Sequence, residues 1–138
     1  MITKLDHVGI VVKDINKTLS LFSTAFGLRA WRRGVVEIPE LGIKMALLPI
    51  GRDQSIEIIQ PTDPQTAFGR HLQTRGEGLY HISLFVDDID AEVSSLRERG
   101  VLVEEASRIP PSFPIPLRNA WVDPQSAAGA IIELVELL

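Results

Sequence analysis

Four residues in this chain have types and spacings that could do chemistry: His7, Glu57, His81 and Glu133. The two histidines stand 74 positions apart. Glu57 follows His7 by 50 positions, and Glu133 follows His81 by 52. Each glutamate interrupts an aliphatic run, Ser55-Ile56-Glu57-Ile58-Ile59 and Ile131-Ile132-Glu133-Leu134-Val135. Such runs read as sheet strands. A carboxylate buried there must be neutralised, paired or bound to a cation, because desolvating an unpaired charge is expensive. Two imidazoles and two carboxylates make a ligand set suited to zinc, cobalt, nickel, manganese or ferrous iron. The competing reading places both glutamates on a solvent face and makes the histidines ordinary strand residues. The recurrence of one His and one Glu at nearly the same spacing favours the metal site.

That recurrence belongs to a longer repeat. Leu5-Asp6-His7-Val8-Gly9-Ile10-Val11-Val12-Lys13-Asp14-Ile15 overlays Leu79-Tyr80-His81-Ile82-Ser83-Leu84-Phe85-Val86-Asp87-Asp88-Ile89. In both copies a Val- and Ile-rich strand leads into an Asp that can cap a helix. After Asp14, the residues Ile15, Leu19, Phe22 and Phe26 recur at helical spacing, and Gly27 offers a stop. After Asp88, Val93 and Leu96 point inward and Gly100 offers the stop. Residues 41–49 and 55–59 read as strands joined by a turn at Gly51-Arg52-Asp53, and residues 117–122 and 130–135 as the last strands. A short polar helix is expected over residues 65–73. Residues 108–116 hold four prolines. They cannot form a central strand, since proline removes ladder donors. The expected organisation is one domain over residues 1–138, with modules at 1–60 and 77–138.

Composition sets the outer bounds. A chain of 138 residues, 45% hydrophobic and 23% charged, can bury a core of its own. The net charge of −4 supplies no basic excess for nucleic acid. Cysteine is absent, which excludes disulfides, thiolate ligands and a thiol nucleophile. No apolar run reaches the length of a membrane span. The chain opens on a strand-like segment, so no signal peptide and a cytoplasmic location are expected.

The opening Leu5-Asp6-His7-Val8-Gly9-Ile10-Val11-Val12 resembles that of the vicinal oxygen chelate superfamily, which includes glyoxalase I, extradiol dioxygenases and bleomycin-resistance proteins. Three further segments resemble its methylmalonyl-CoA epimerase family. These are Arg75-Gly76-Glu77-Gly78-Leu79-Tyr80-His81-Ile82, Ile56-Glu57-Ile58-Ile59-Gln60-Pro61, and Asp123-Pro124-Gln125-Ser126 with Gly129-Ala130-Ile131-Ile132-Glu133-Leu134. The resemblance implies an α+β fold of two tandem βαβββ modules, forming an open, barrel-like sheet around a divalent metal held by His7, Glu57, His81 and Glu133. It also implies a homodimer, a small carbonyl or acyl-CoA substrate, and epimerase or isomerase chemistry by α-proton abstraction.

For the proton transfer, Glu133 is the first candidate base, since a ligating carboxylate can loosen and reach the substrate. Lys44 is the second. It alternates with Ile43 and Met45, which would turn it into the barrel, with a solvated surface lysine as the alternative reading, and it falls at about the position of a carboxylate proposed as a base in some epimerases. The alternatives are a lyase like glyoxalase I and a non-catalytic binding protein of the bleomycin-resistance type. Residues 108–116 stand where the epimerases carry a Gly-rich segment. Their prolines, with Phe113 and Ile115, predict a narrower, more apolar pocket mouth and weak turnover of methylmalonyl-CoA. Glu77 reads as a turn residue and His71 as a surface residue. Trp31 and Trp121 read as core, with lining of an apolar pocket as the alternative, and Arg32-Arg33 as either anion contacts or solvated side chains.

Overall fold

The computed structural model describes residues 1–138. Its elements run β1 (Ile2–Val11), α1 (Ile15–Phe26), β2 (Val36–Ile38), β3 (Ile43–Ile50), β4 (Gln54–Pro61), α2 (Ala67–Arg75), β5 (Gly78–Val86), α3 (Ile89–Glu98), β6 (Ser107–Arg108), β7 (Leu117–Val122) and β8 (Ile132–Leu137). The order β-α-β-β-β therefore occurs twice with α2 between, and the fold is α+β. No helix is long and apolar enough to cross a membrane.

The helices begin where local chemistry starts them. Asp14 accepts the Lys17 N–H, and Asp88 accepts the Ala91 N–H, each at 3.0 Å. Such a cap is worth about 1 kcal/mol. Gly27 ends α1 in the left-handed region at φ 67°, with its N–H turned back to Phe22 and Ser23. The polar helix starts two residues later than expected. Thr66 caps it, while Asp63 takes the Gln65 N–H at 2.8 Å and so holds residue 65 in the turn. Strands β2 and β6 carry no signal in the sequence. At three and two residues they are too short to show alternation, and their ladder partners on β3 and β7 define them.

Packing divides the chain into two compact units, Val8–Tyr80 and Met1–His7 with His81–Leu138. The boundaries fall inside β1 and β5, not in residues 61–76 between the modules. The physical reason is that the start of β1 is tied to the second half of the chain: Thr3 Oγ1 donates to the Phe85 carbonyl at 3.4 Å, and His7 meets His81.

In the unit Val8–Tyr80, the strand order is β2-β3-β4-β1. Val12, Ala46, Leu48 and Ile58 pack with Ile15, Leu19 and Phe22 of α1. The β3–β4 register pairs Lys44 with Gln60, Ala46 with Ile58, and Leu47 with Glu57. Alternation then places Lys44 and Gln60 on the face that α1 covers, and Glu57 on the other. Gln60 confirms this face, since its Oε1 accepts the Ile15 N–H at 2.9 Å at the start of α1. The expectation that Lys44 turns to the same side as the glutamate is corrected by this register.

In the second unit the order is β1-β5-β8-β7-β6. Strand β5 runs parallel to β8, and β7 antiparallel to it. Val86, Ala120, Val122 and Leu134 pack with Ile89 and Val93 of α3. The odd-numbered residues Asn119, Trp121 and Glu133 are left on the face opposite α3. Residues 109–116 form the β6–β7 loop at the sheet edge. It is closed by Ile109 N–H to Leu117 carbonyl at 3.0 Å and turned by Phe113 N–H to Pro110 carbonyl at 2.9 Å. Its position agrees with the exclusion of a central strand.

One close approach in the first unit is testable. A Cβ on Gly69 of α2 would stand 2.4 Å from the Asp63 carbonyl oxygen and 2.6 Å from Pro64 Cα, both backbone atoms. In a free helix, alanine would gain roughly 1 kcal/mol over glycine. Here the clash dominates, and Gly69→Ala is expected to lose about 1–3 kcal/mol. Urea unfolding measures it; an unchanged or higher midpoint would contradict the close packing.

Candidate metal centre

Three of the four expected ligands come together within one unit. His7, on β1, is 8% exposed; His81, on β5, 4%; and Glu133, on β8, 5%. The Nε2 atoms of the two histidines stand 2.9 Å apart, with their rings edge to face. Glu133 Oε2 lies 3.4 Å from His7 Nε2 and 3.5 Å from His81 Nε2. Ligand atoms held at about 2.1 Å from a common cation stand roughly 3.0–3.4 Å apart at octahedral or tetrahedral angles. The triangle of Nε2, Nε2 and Oε2 has that size, so this His-Glu-His group fits a divalent metal ion. Glu57 is buried in β4 of the other unit at 7% exposure. The solvent-face reading of the two glutamates is thus excluded for both.

The supporting contacts orient the donors. His7 Nδ1 meets Asp6 Oδ2 at 2.8 Å, which assigns the ring proton to Nδ1 and leaves the lone pair on Nε2. A carboxylate behind a histidine is the arrangement that fixes ring orientation in metal sites. The contact between the two Nε2 atoms is a hydrogen bond when His81 carries its proton there; a bound cation would take the place of that proton. Glu133 Oε1 accepts the Asn119 side-chain N–H at 2.8 Å. Burial pushes the Glu133 carboxyl up, but the His81 hydrogen bond, the His81 and His7 charges and the Asn119 amide outweigh it and hold the group below the usual carboxylate range. Trp121 pairs with Glu133 across β7 and β8, and its ring lies edge-on to His81 at 5.2 Å. It is half-buried at the site's flank, which agrees with the pocket-lining alternative and not with the core reading.

The remaining expectations fall elsewhere. Lys44 is half-buried on the α1 side of β3. Glu77 is structural, its Oε1 accepting the Lys13 N–H at 3.0 Å. His71 is half-buried rather than on the surface. It packs edge-on against Tyr80 at 4.9 Å, and burial together with the Arg75 charge lowers its pKa. Trp31 is held by its own turn, Nε1–H donating to the Gly34 carbonyl at 2.7 Å. Arg32 and Arg33 are exposed. The sequence reading missed Asp6 and Asn119. Both are strand-averse residues within strands, and that local mismatch is the signal that could have found them.

A family model described as the glyoxalase/bleomycin resistance protein/dioxygenase superfamily matches residues 6–111. The mitochondrial methylmalonyl-CoA epimerase of Mus musculus is 25% identical over 134 residues, covering 95% of this chain and 71% of that protein. The crystal structure of methylmalonyl-CoA epimerase from Mycobacterium tuberculosis matches with a TM-score of 0.88 and 30% identity, over 99% of this chain and 89% of that one. A variant of the Streptomyces coelicolor methylmalonyl-CoA epimerase, in complex with 2-nitronate-propionyl-CoA, matches with a TM-score of 0.88 and 27% identity, over 99% of each chain. With a family model spanning most of its length and epimerase structures matching nearly all of it, the chain belongs to the glyoxalase/bleomycin resistance protein/dioxygenase superfamily.

Proposed function

We propose that this protein is a metal-dependent epimerase that exchanges the α-proton of a 2-substituted acyl thioester, with methylmalonyl-CoA as the first substrate to test. The observation that carries the reading is the convergence of His7 Nε2, His81 Nε2 and Glu133 Oε2 in a buried group of the size a divalent ion needs. The epimerases with matching structures support the substrate class. We further propose Glu57 as a fourth ligand, on its burial in an aliphatic strand and its matching place in the repeat. When bound, the ion supplies positive charge that acidifies the carbon beside a substrate carbonyl.

The chain's own groups would do the rest. His7 presents its lone pair on Nε2 because Asp6 keeps the ring proton on Nδ1, and His81 would present Nε2 to the ion with its own proton on Nδ1. Glu133 has one oxygen engaged by Asn119 and the other facing the histidines, so Oε2 is the atom that would accept the α-proton. A proton from solvent, delivered to the opposite face while Glu133 gives its own up to solvent, would give the epimer. Trp121 forms an apolar wall beside His81. Lys44, on the α1 face, has no part in this scheme.

The test is deuterium incorporation from D2O into methylmalonyl-CoA by cobalt-loaded protein. Exchange at the α-carbon is the expected result; its absence across a panel of acyl-CoA and 2-oxo substrates would defeat the reading. The stiff β6–β7 loop is expected to hold turnover of methylmalonyl-CoA below the ordinary enzyme range of about 10 s⁻¹. A larger value would show that the prolines do not narrow the site. Homodimerisation is part of the same reading, supported by the superfamily resemblance, and light scattering tests it.

A further inference from the structure

We infer that Asn119 is a positioning residue that makes Glu133 a one-oxygen ligand. The inference rests on the metal-centre reading above and assigns a role to a side chain outside the ligand set. Glu133 is buried, and its two oxygens have different partners. Oε2 faces the Nε2 atoms of His7 and His81 at 3.4 and 3.5 Å, while Oε1 accepts the Asn119 Nδ2–H at 2.8 Å. The register of β7 and β8 sets this up. Trp121 lies opposite Glu133 and Asn119 opposite Val135, so Asn119 is the diagonal neighbour of Glu133 on the same face. The next residue back, Arg118, points to the other face. There it is clamped to both Asp90 oxygens at 2.7 and 2.8 Å, with Glu136 at 3.6 Å, which ties β7 to α3 and β8.

A carboxylate with both oxygens free can close on a cation with two bonds. With Oε1 held by an amide, Glu133 offers one. Positions at a bound cation would thereby be left for other ligands. Asparagine is poorly suited to the middle of a strand, and this contact accounts for its presence there.

The experiment is cobalt titration of wild type, Asn119→Leu, Asn119→Asp and Asn119→Ser, read by affinity and by the visible absorption of the bound ion. Leucine removes the donor at similar volume, aspartate replaces it with a charged acceptor, and serine shortens it, so a folding failure in one leaves the others. We expect cobalt affinity to fall about 10–100-fold, with absorption bands weakened and shifted as coordination number rises. Variants that bind cobalt with wild-type affinity and an unchanged spectrum would overturn the role of Asn119 while leaving the metal centre standing. A wild-type protein that takes up no cobalt would overturn the metal centre itself, and this role with it.

Discussion

Stripping the protein with a strong chelator is expected to abolish α-proton exchange, by at least about 10³-fold, and cobalt added back at one equivalent per chain should restore it. The loss should occur without unfolding. Two apolar clusters, one under α1 and one under α3, hold the strands independently of the ligand group. Asp6 and Asn119 keep His7 and Glu133 in place by hydrogen bonds that need no ion. Metal should nevertheless raise the melting temperature. An ion that binds only the folded state, at about 1,000 times its Kd, contributes roughly 4 kcal/mol. Thermal melts with and without cobalt, run beside the deuterium assay, check both parts. Exchange that survives complete chelation would remove the metal from the reaction. A melting temperature blind to cobalt would say that these residues do not hold one.

The second large effect is expected at Glu133. Glu133→Gln preserves the shape and keeps an oxygen for the Asn119 amide, but it removes the negative charge of the carboxylate whose Oε2 faces both imidazoles. Loss of a general base costs about 10²–10⁴-fold, and weaker metal binding adds to it, so a fall of about 10³-fold or more in kcat is expected with metal at saturation. The protein should fold as before, because the substitution leaves the α3-facing cluster around Leu134 untouched. Lys44→Met is the contrast. Lys44 pairs with Gln60 and Glu37 across its ladders, on the helix-covered face of β3. Its removal should leave exchange within about twofold, a surface-like effect. Steady-state kinetics of the two variants under saturating cobalt decide the matter. A Lys44 variant as damaged as the Glu133 variant would mean that β3 presents this side chain differently from its register. A Glu133→Gln protein with normal kcat would remove Glu133 as the base.

The four metal-ligand candidates were legible in the chain itself. A carboxylate at the centre of an aliphatic strand violates the cost of burying charge, and it does so twice, at matched distance from a histidine. The helix starts at Asp14 and Asp88 and the stop at Gly27 were legible for the same local reason, since a cap acts within one turn. What lay beyond reach depended on register, which is non-local. Whether Lys44 shares a face with Glu57 turns on which residue of β4 lies opposite it, and a shift by one residue reverses the answer. The contacts of Asn119 with Glu133 and of Trp121 with His81 likewise join strands that are brought side by side by ladders and not by sequence proximity. Strand pairing at the start of β1 also decided that Met1–His7 packs with the second half of the chain. Residue chemistry alone thus named the groups that a cation would suit. Only the ladders determined which oxygen of Glu133 faces the two imidazoles, because that oxygen is chosen by a neighbour on another strand.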